Sequence, residues 1–243
     1  MASILNIEGL SYHYGDNPKP VFANLDLKIE EGEFVAVVGG SGVGKSTLLR
    51  CVAGLTESSG GNIALNVEEN ETRRSRGLVF QDGRLMPWRT LRSNIAYGLQ
   101  GLKLTKEQKQ QRVDEVIKLA RLDDLADRWP HQLSGGQVQR GGIARALAVH
   151  PHLLLMDEPF SAVDAITRHH LQDQLLSICE QMHETVMFIT HDIEEAIYLA
   201  DRVIVLAGSP ATIALDQYID LPRPRRRGSD ELQQLAHQIA QAL

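Results

Sequence analysis

The sequence predicts an α/β fold: a mostly parallel sheet, an antiparallel β layer and an inserted helical subdomain. Three observations carry this. Short apolar runs at 34–39 (FVAVVG), 153–156 (LLLM), 185–190 (TVMFIT) and 202–208 (RVIVLAG) have the character of strands covered on both faces. Helical stretches at about 45–54, 165–182 and 192–200 fall between them. Two segments that alternate apolar and polar residues, 24–30 (NLDLKIE) and 63–67 (IALNV), read instead as half-buried strands. The second follows Gly60-Gly61-Asn62, a turn signal.

Between about 88 and 150 the strand-like runs disappear. Thr105 and Gln108 have capping-box spacing, and Val113, Val116, Ile117 and Ala120 then recur at helical intervals. The expected organisation is one domain over 1–243: a core with its β layer at 1–87 and 151–208, a helical subdomain at 88–150, and a C-terminal tail at 209–243. Residues 66–76 (NVEENETRRSR) are polar and read as an exposed connection. The tail carries the basic stretch RPRRR after Pro222, then an amphipathic helix opening near Ser229 with Leu232, Leu235, Ala236 and Ile239 on one face. A solvated basic tail is the commoner reading of that stretch, and contact with a membrane protein or phospholipid headgroups is the other.

A 243-residue chain with 43% hydrophobic residues can bury a sizeable core. With 25 basic against 31 acidic residues the net charge is −6, which argues against a large nucleic-acid footprint. Cys51 and Cys179 lack metal-site spacing, so free thiols in a reducing compartment are expected. No apolar run is long enough to cross a bilayer, and the acid-bearing start MASILNIEGL does not read as a signal peptide. A cytoplasmic location is expected, with any membrane role coming through a partner.

The chemistry is concentrated in GGSGVGKST, Gly39 to Thr47, which follows an apolar strand and opens a helix. The glycines at 39, 40, 42 and 44, with Ser41 and Val43 between them, let backbone N–H groups turn inward around a β-phosphate, and the helix N-terminus adds a favourable dipole. Lys45 reaches the β- and γ-phosphates in such a loop, Ser46 supplies a hydroxyl to Mg²⁺, and Thr47 follows in the first turn. Asp157 ends the apolar run LLLM, where a magnesium-directed carboxylate belongs, and Glu158 follows in position to orient an attacking water.

The segment LSGGQVQRGGIARAL at 133–147 resembles the signature of ABC transporter ATPases, and the likeness extends over nearly the whole chain. It implies a P-loop NTPase (RecA-like) core and ATP hydrolysis by a head-to-tail homodimer. The amides around Ser134, Gly135, Gly136 and Gln137 then face the γ-phosphate held by the opposite copy. The resemblance also assigns minor motifs. Tyr14 stacks on adenine, with Tyr12 as its competitor. Gln81 in VFQD senses Mg²⁺ and water. Asp164, in Ser161-Ala162-Val163-Asp164, crosses between subunits or merely caps a turn. His191 in FITHD contacts the γ-phosphate, while Asp192 and Glu195 have the spacing of a helix cap. Glu158, His191, Gln81 and Lys45 are thus the expected catalytic groups, Ser46, Gln81 and Asp157 the expected Mg²⁺ ligands, and ATP the nucleotide.

DGRLMPWRT after Gln81 and the tail LPRPRRR resemble the nitrate/sulfonate/taurine branch of bacterial importers. That implies an integral membrane permease, a periplasmic or surface solute-binding protein acting indirectly, and a position on the cytoplasmic face of the inner membrane. Trp88 and Met86 are then rim contacts for a permease helix or core residues of the helical subdomain. A separate-chain exporter or a soluble non-transport ABC ATPase is the alternative. A chromosome-maintenance ATPase would need a long coiled-coil insert, and a metabolic kinase would lack LSGGQ. Two departures stand out: Gly40 where Pro is frequent, and Gly141-Gly142 where small apolar residues are usual. The second predicts a locally weakened helix, since each internal glycine costs about 1 kcal/mol relative to Ala.

Overall fold

The computed structural model describes residues 3–15, 19–68, 70–161 and 163–243. The elements run β1 (Ser3–Tyr12), β2 (Phe22–Glu30), β3 (Phe34–Gly39), α1 (Lys45–Val52), β4 (Gly60–Leu65), β5 (Arg76–Val79), α2 (Leu91–Gly98), α3 (Lys106–Leu119), α4 (Gly135–Leu147), β6 (Leu153–Asp157), α5 (Ala165–Met182), β7 (Thr185–Ile189), α6 (Ile193–Leu199), β8 (Arg202–Gly208), β9 (Ala211–Tyr218) and α7 (Asp230–Ala240). They form two compact units, residues 1–66 with 185–243, and residues 67–184.

In the first unit the strand order is β4-β1-β2-β9-β8-β3-β7. β3 pairs in parallel with both β7 and β8, and all six of its residues are buried, as an all-apolar strand between two layers must be. The alternating strands β2 and β4 lie antiparallel on either side of β1. β1 itself was not evident from the sequence: its pairing with β2 slips between Ile7 and Leu10, around Gly9, which breaks a simple alternation. β9 closes the gap between β8 and β2, and bidentate contacts from buried Arg202 to Asp216 (2.6 Å each) fasten it to β8.

The basic stretch is docked, not solvated. Arg225 is 7% exposed, and its guanidinium donates to the carbonyls of Ile197 (2.7 Å), Ala200 (2.6 Å), Leu221 (3.0 Å) and Ile219 (3.3 Å). Burial, and Arg223 beside it, lower this guanidinium to about 10, which leaves it charged at neutral pH. α7 then packs against α6 with Leu232 and Ile239 buried, as its apolar stripe requires.

The second unit holds the parallel pair β5–β6 with α2, α3, α4 and α5. No strand lies between Val79 and Leu153. Thr105 and Gln108 form the expected capping box on α3, and Val113, Val116 and Ile117 face inward.

Candidate functional site

The phosphate loop belongs to the first unit. β3 and β7 run in parallel with Val37 opposite Ile189. Gly39 lies two residues beyond Val37 and His191 two beyond Ile189, so both loops open from one edge of the sheet. Gly39 has no room for a side chain: a Cβ there would sit 2.5 Å from the Leu206 carbonyl oxygen. Gly42 and Gly44 take φ of 79° and 113°, a region that favours glycine and lets successive amides converge. Gly40 and Ser41 are exposed at the tip, with Val43 and Ser46 half-buried. The ammonium of buried Lys45 donates to the Gly39 (2.8 Å) and Gly40 (3.1 Å) carbonyls, which arches the loop around it.

Among the described residues the other six α-helices each start with a side-chain cap, from Thr90, Thr105, Ser134, Asp164, Asp192 and Ser229. α1 starts at left-handed Gly44 with none. A buried ammonium inside a glycine-rich loop at a helix N-terminus is chemically suited to a polyphosphate.

Tyr14 is tied to this loop, its hydroxyl 2.8 Å from Thr47 Oγ1, while more than half of the side chain stays exposed. Tyr12 packs between Tyr14 (5.1 Å, edge-on) and buried Phe22 (6.0 Å). Of the two tyrosines, Tyr14 is the one with a face to offer a base. His191 is exposed, and Asp192 after it caps α6 by accepting from the Glu195 amide (3.1 Å).

The acids belong to the second unit. β5 and β6 are parallel, with Val79 opposite Met156. Continuing that register by two residues puts Gln81 and Glu158 at the same edge. Asp157 is the half-buried last residue of β6. Glu158 follows with φ 44°, an uncommon conformation for a residue with a Cβ. Its carbonyl accepts from the Ser161 amide (3.2 Å) and hydroxyl (3.0 Å), which closes the turn.

The signature opens α4 with a complete capping box. Ser134 Oγ accepts from the Gln137 amide (3.3 Å), and Gln137 Oε1 accepts from the Ser134 amide (2.8 Å). Exposed Gly135 is left as the outward face of the turn. Gly136 faces inward, where a Cβ would meet Thr167 Cγ2 at 2.8 Å, so α4 and α5 touch there. Asp164 caps α5 by accepting from the Thr167 amide (3.0 Å), and that bond holds its carboxyl below the usual range. Ala162, within the expected crossing motif, lies outside the described residues.

Two residues that no sequence motif marks, Arg145 and Gln139, hold the segment around Gln81. Arg145 donates to the carbonyls of Arg84 (2.7 Å) and Gly83 (3.0 Å), and Gln139 donates to that of Phe80 (3.3 Å). A Cβ on Gly142 would lie 2.8 Å from the Gly83 oxygen, and one on Gly83 would lie 2.9 Å from that of Val138. The Gly141-Gly142 pair was the signal. It marks a close approach of backbones, and α4 is continuous through it. Trp88 is 70% exposed, which removes it from the core.

Among the described residues no three His, Cys, Asp or Glu side chains gather to hold a metal. Each unit carries oxygen donors of the kind a hard cation such as Mg²⁺ takes, the Ser46 hydroxyl in the first and the Asp157 carboxylate and Gln81 amide in the second.

Residues 22–161 match the ABC transporter family model. The aliphatic sulfonates import ATP-binding protein of Bacillus cereus is 40% identical over 240 residues, 98% of this chain and 94% of that protein. The nitrate import ATP-binding protein of Synechococcus elongatus is 45% identical over 208 residues, covering 84% of this chain and 32% of that longer protein. Among solved structures, the dimeric ATP-binding cassette MJ0796 in a post-hydrolysis state with ADP and phosphate superposes with a TM-score of 0.74 at 30% identity, over 90% of this chain and 100% of that one. A glycine-rich loop opening a helix, a β-strand ending in Asp157 with Glu158 after it and a helix opening on Ser-Gly-Gly-Gln thus sit within a similarity spanning almost the entire sequence, and the chain belongs to the ABC transporter family as one of its ATP-hydrolysing cassettes.

Proposed function

We propose that this cassette powers a membrane importer for nitrate, a sulfonate, taurine or a similar small solute, and that it works as a head-to-tail homodimer. The near full-length similarity to a sulfonate import subunit carries the reading. Loop amides from Gly39 to Thr47 and the Lys45 ammonium hold the β- and γ-phosphates, and Tyr14 stacks on the adenine. Ser46, Asp157 and Gln81 would hold Mg²⁺, which supplies charge neutralisation at the β- and γ-oxygens. Glu158 orients the attacking water, and His191 contacts the γ-phosphate. Ser134, Gly135, Gly136 and Gln137 of one copy face the nucleotide of the other, with Asp164 at the crossing between copies.

Permease subunits at the cytoplasmic face of the membrane receive the motion, and a solute-binding protein acts through them. Among the described residues no helix is long and apolar enough to cross a membrane, which accords with a subunit held there by partners. The net charge of −6 argues against a large nucleic-acid footprint. The test is a pull-down of the tagged full chain from gently solubilised membranes of its own cells. Recovery of a multi-span permease together with a solute-binding protein is expected. Recovery with an export complex, or with soluble assemblies alone, overturns the importer and leaves the ATP chemistry standing.

A further inference from the structure

α6 has seven residues, about 10 Å of helix, which is too short to hold its shape in isolation. Its placement comes from what grips its two ends. Asp192 caps the first turn, directly after His191. At the other end the helix stops at Ala200, in extended conformation, and the last carbonyls lose their intrahelical partners. Such carbonyls are normally met by water or by one C-terminal glycine turn.

Here arginines from the tail meet them. Arg225 Nη1 donates to Ile197 (2.7 Å), Ala200 (2.6 Å) and, at longer range, Tyr198 (3.4 Å), and Arg223 Nη2 donates to Leu199. Four consecutive carbonyls are thereby occupied by two side chains from a segment more than twenty residues downstream. The same guanidinium of Arg225 holds its own segment through Leu221 and Ile219. Arg223 also pairs with Asp201 (3.0 Å), whose carboxylate accepts from the Phe34 amide (3.0 Å) at the start of β3. Arg227 lies over the Tyr198 ring at 3.4 Å. The positive charge sits at the negative end of the helix dipole.

We propose that Arg225 is a positioning residue for ATP hydrolysis: by capping the last turn of α6 it fixes the helix whose opposite end presents His191 to the γ-phosphate. The inference rests on the assignment of His191 given above. A guanidinium is suited to the task because its planar fork serves several acceptors at once, whereas an ammonium is a single point charge. Without Arg225, the α6 carbonyls it serves lose a buried donor, and the helix must shift or fray to reach water. A displacement on the order of 1 Å at His191 costs a large part of turnover.

The test is a cycle of Arg225→Ala and His191→Ala in the full chain, singly and together. It is read as single-turnover hydrolysis of labelled ATP and as steady-state kcat and KM, well below the melting temperature of each variant. Arg225→Ala is expected to lower kcat roughly ten- to a hundredfold, with KM for ATP within about twofold of the parent. In the His191→Ala background the same change is expected to cost less than about twofold, because the group it positions is gone. Equal losses in both backgrounds, or a loss carried by KM, overturn the proposal. Full turnover by His191→Ala alone overturns instead the assignment on which it rests. Arg225→Lys enters the same cycle, and carries it if Arg225→Ala does not fold; its kcat is expected to fall between those of the parent and Arg225→Ala.

Discussion

At the scale of single residues, Glu158 is held at φ 44°, where a side chain costs about 1–2 kcal/mol. Glycine relieves that cost and alanine does not. Glu158→Gly is therefore expected to be more stable than Glu158→Ala by about 1 kcal/mol in chemical denaturation, with hydrolysis lost in both. Equal stability would remove the strain from this position. Glu184 is a second such case. Burial pushes its carboxyl up to about 7, against the opposing charge of Arg73. The folded state holds that proton more tightly than the unfolded chain, so stability falls as pH rises from the ordinary carboxyl range towards 7 and levels off above it. Glu184→Gln is expected to flatten this slope and to be the more stable protein at pH 8.5, by up to roughly 3 kcal/mol, with a smaller gain at pH 6.5. Denaturation midpoints at the two pH values decide it. Lys45, Ser46 and Asp157 stand out in the sequence because each is a chemical group in a spacing that phosphate chemistry explains. The conformation of Glu158 does not, since it belongs to a turn that Ser161 closes without a motif to announce it, nor do the burial of Glu184 and the carbonyl partners of Arg225, which depend on residues remote in sequence.

At the scale of elements, α4 reverses an argument from propensity. An alanine at 142 gains about 1 kcal/mol as a helix former. It must also place a Cβ 2.8 Å from the Gly83 oxygen and 2.9 Å from its Cα. Backbone cannot swing aside as a side-chain end does, so Gly142→Ala is expected to destabilise by about 1–3 kcal/mol in a denaturant melt. At position 141 the closest atom is a methyl of buried Leu91, the end of a side chain and not backbone. A Gly142→Ala protein as stable as the parent would mean that this contact does not bind the segment after Gln81 to the signature helix. The apolar runs of β3, β6, β7 and β8 announced themselves, because a strand covered on both faces has no polar positions. β1 hid behind its slip near Gly9. β9 alternates faithfully, but it follows Pro210 in a stretch that reads as a tail.

At the scale of the whole molecule, the loop and the signature are proposed to act on different ATP molecules, so stalling hydrolysis should hold two copies together. Glu158→Gln with ATP and Mg²⁺ is expected to elute at twice the 27.0 kDa of the chain and to return to one copy when nucleotide is removed. A variant that stays at one copy under saturating ATP sinks the head-to-tail arrangement. The α/β class was legible from the order of elements, whereas the gripping of α6 by the tail depends on tertiary contacts that no local pattern encodes. The bare start of α1 has a consequence for folding as well as for catalysis. A helix that lacks its own cap is completed by whatever anion occupies the loop, so the nucleotide becomes a part of the native state, and cellular ATP at about a hundred times its dissociation constant would add roughly 2.7 kcal/mol to the stability of the fold. The energy charge of the cell would then set how long the protein survives as well as how fast it works.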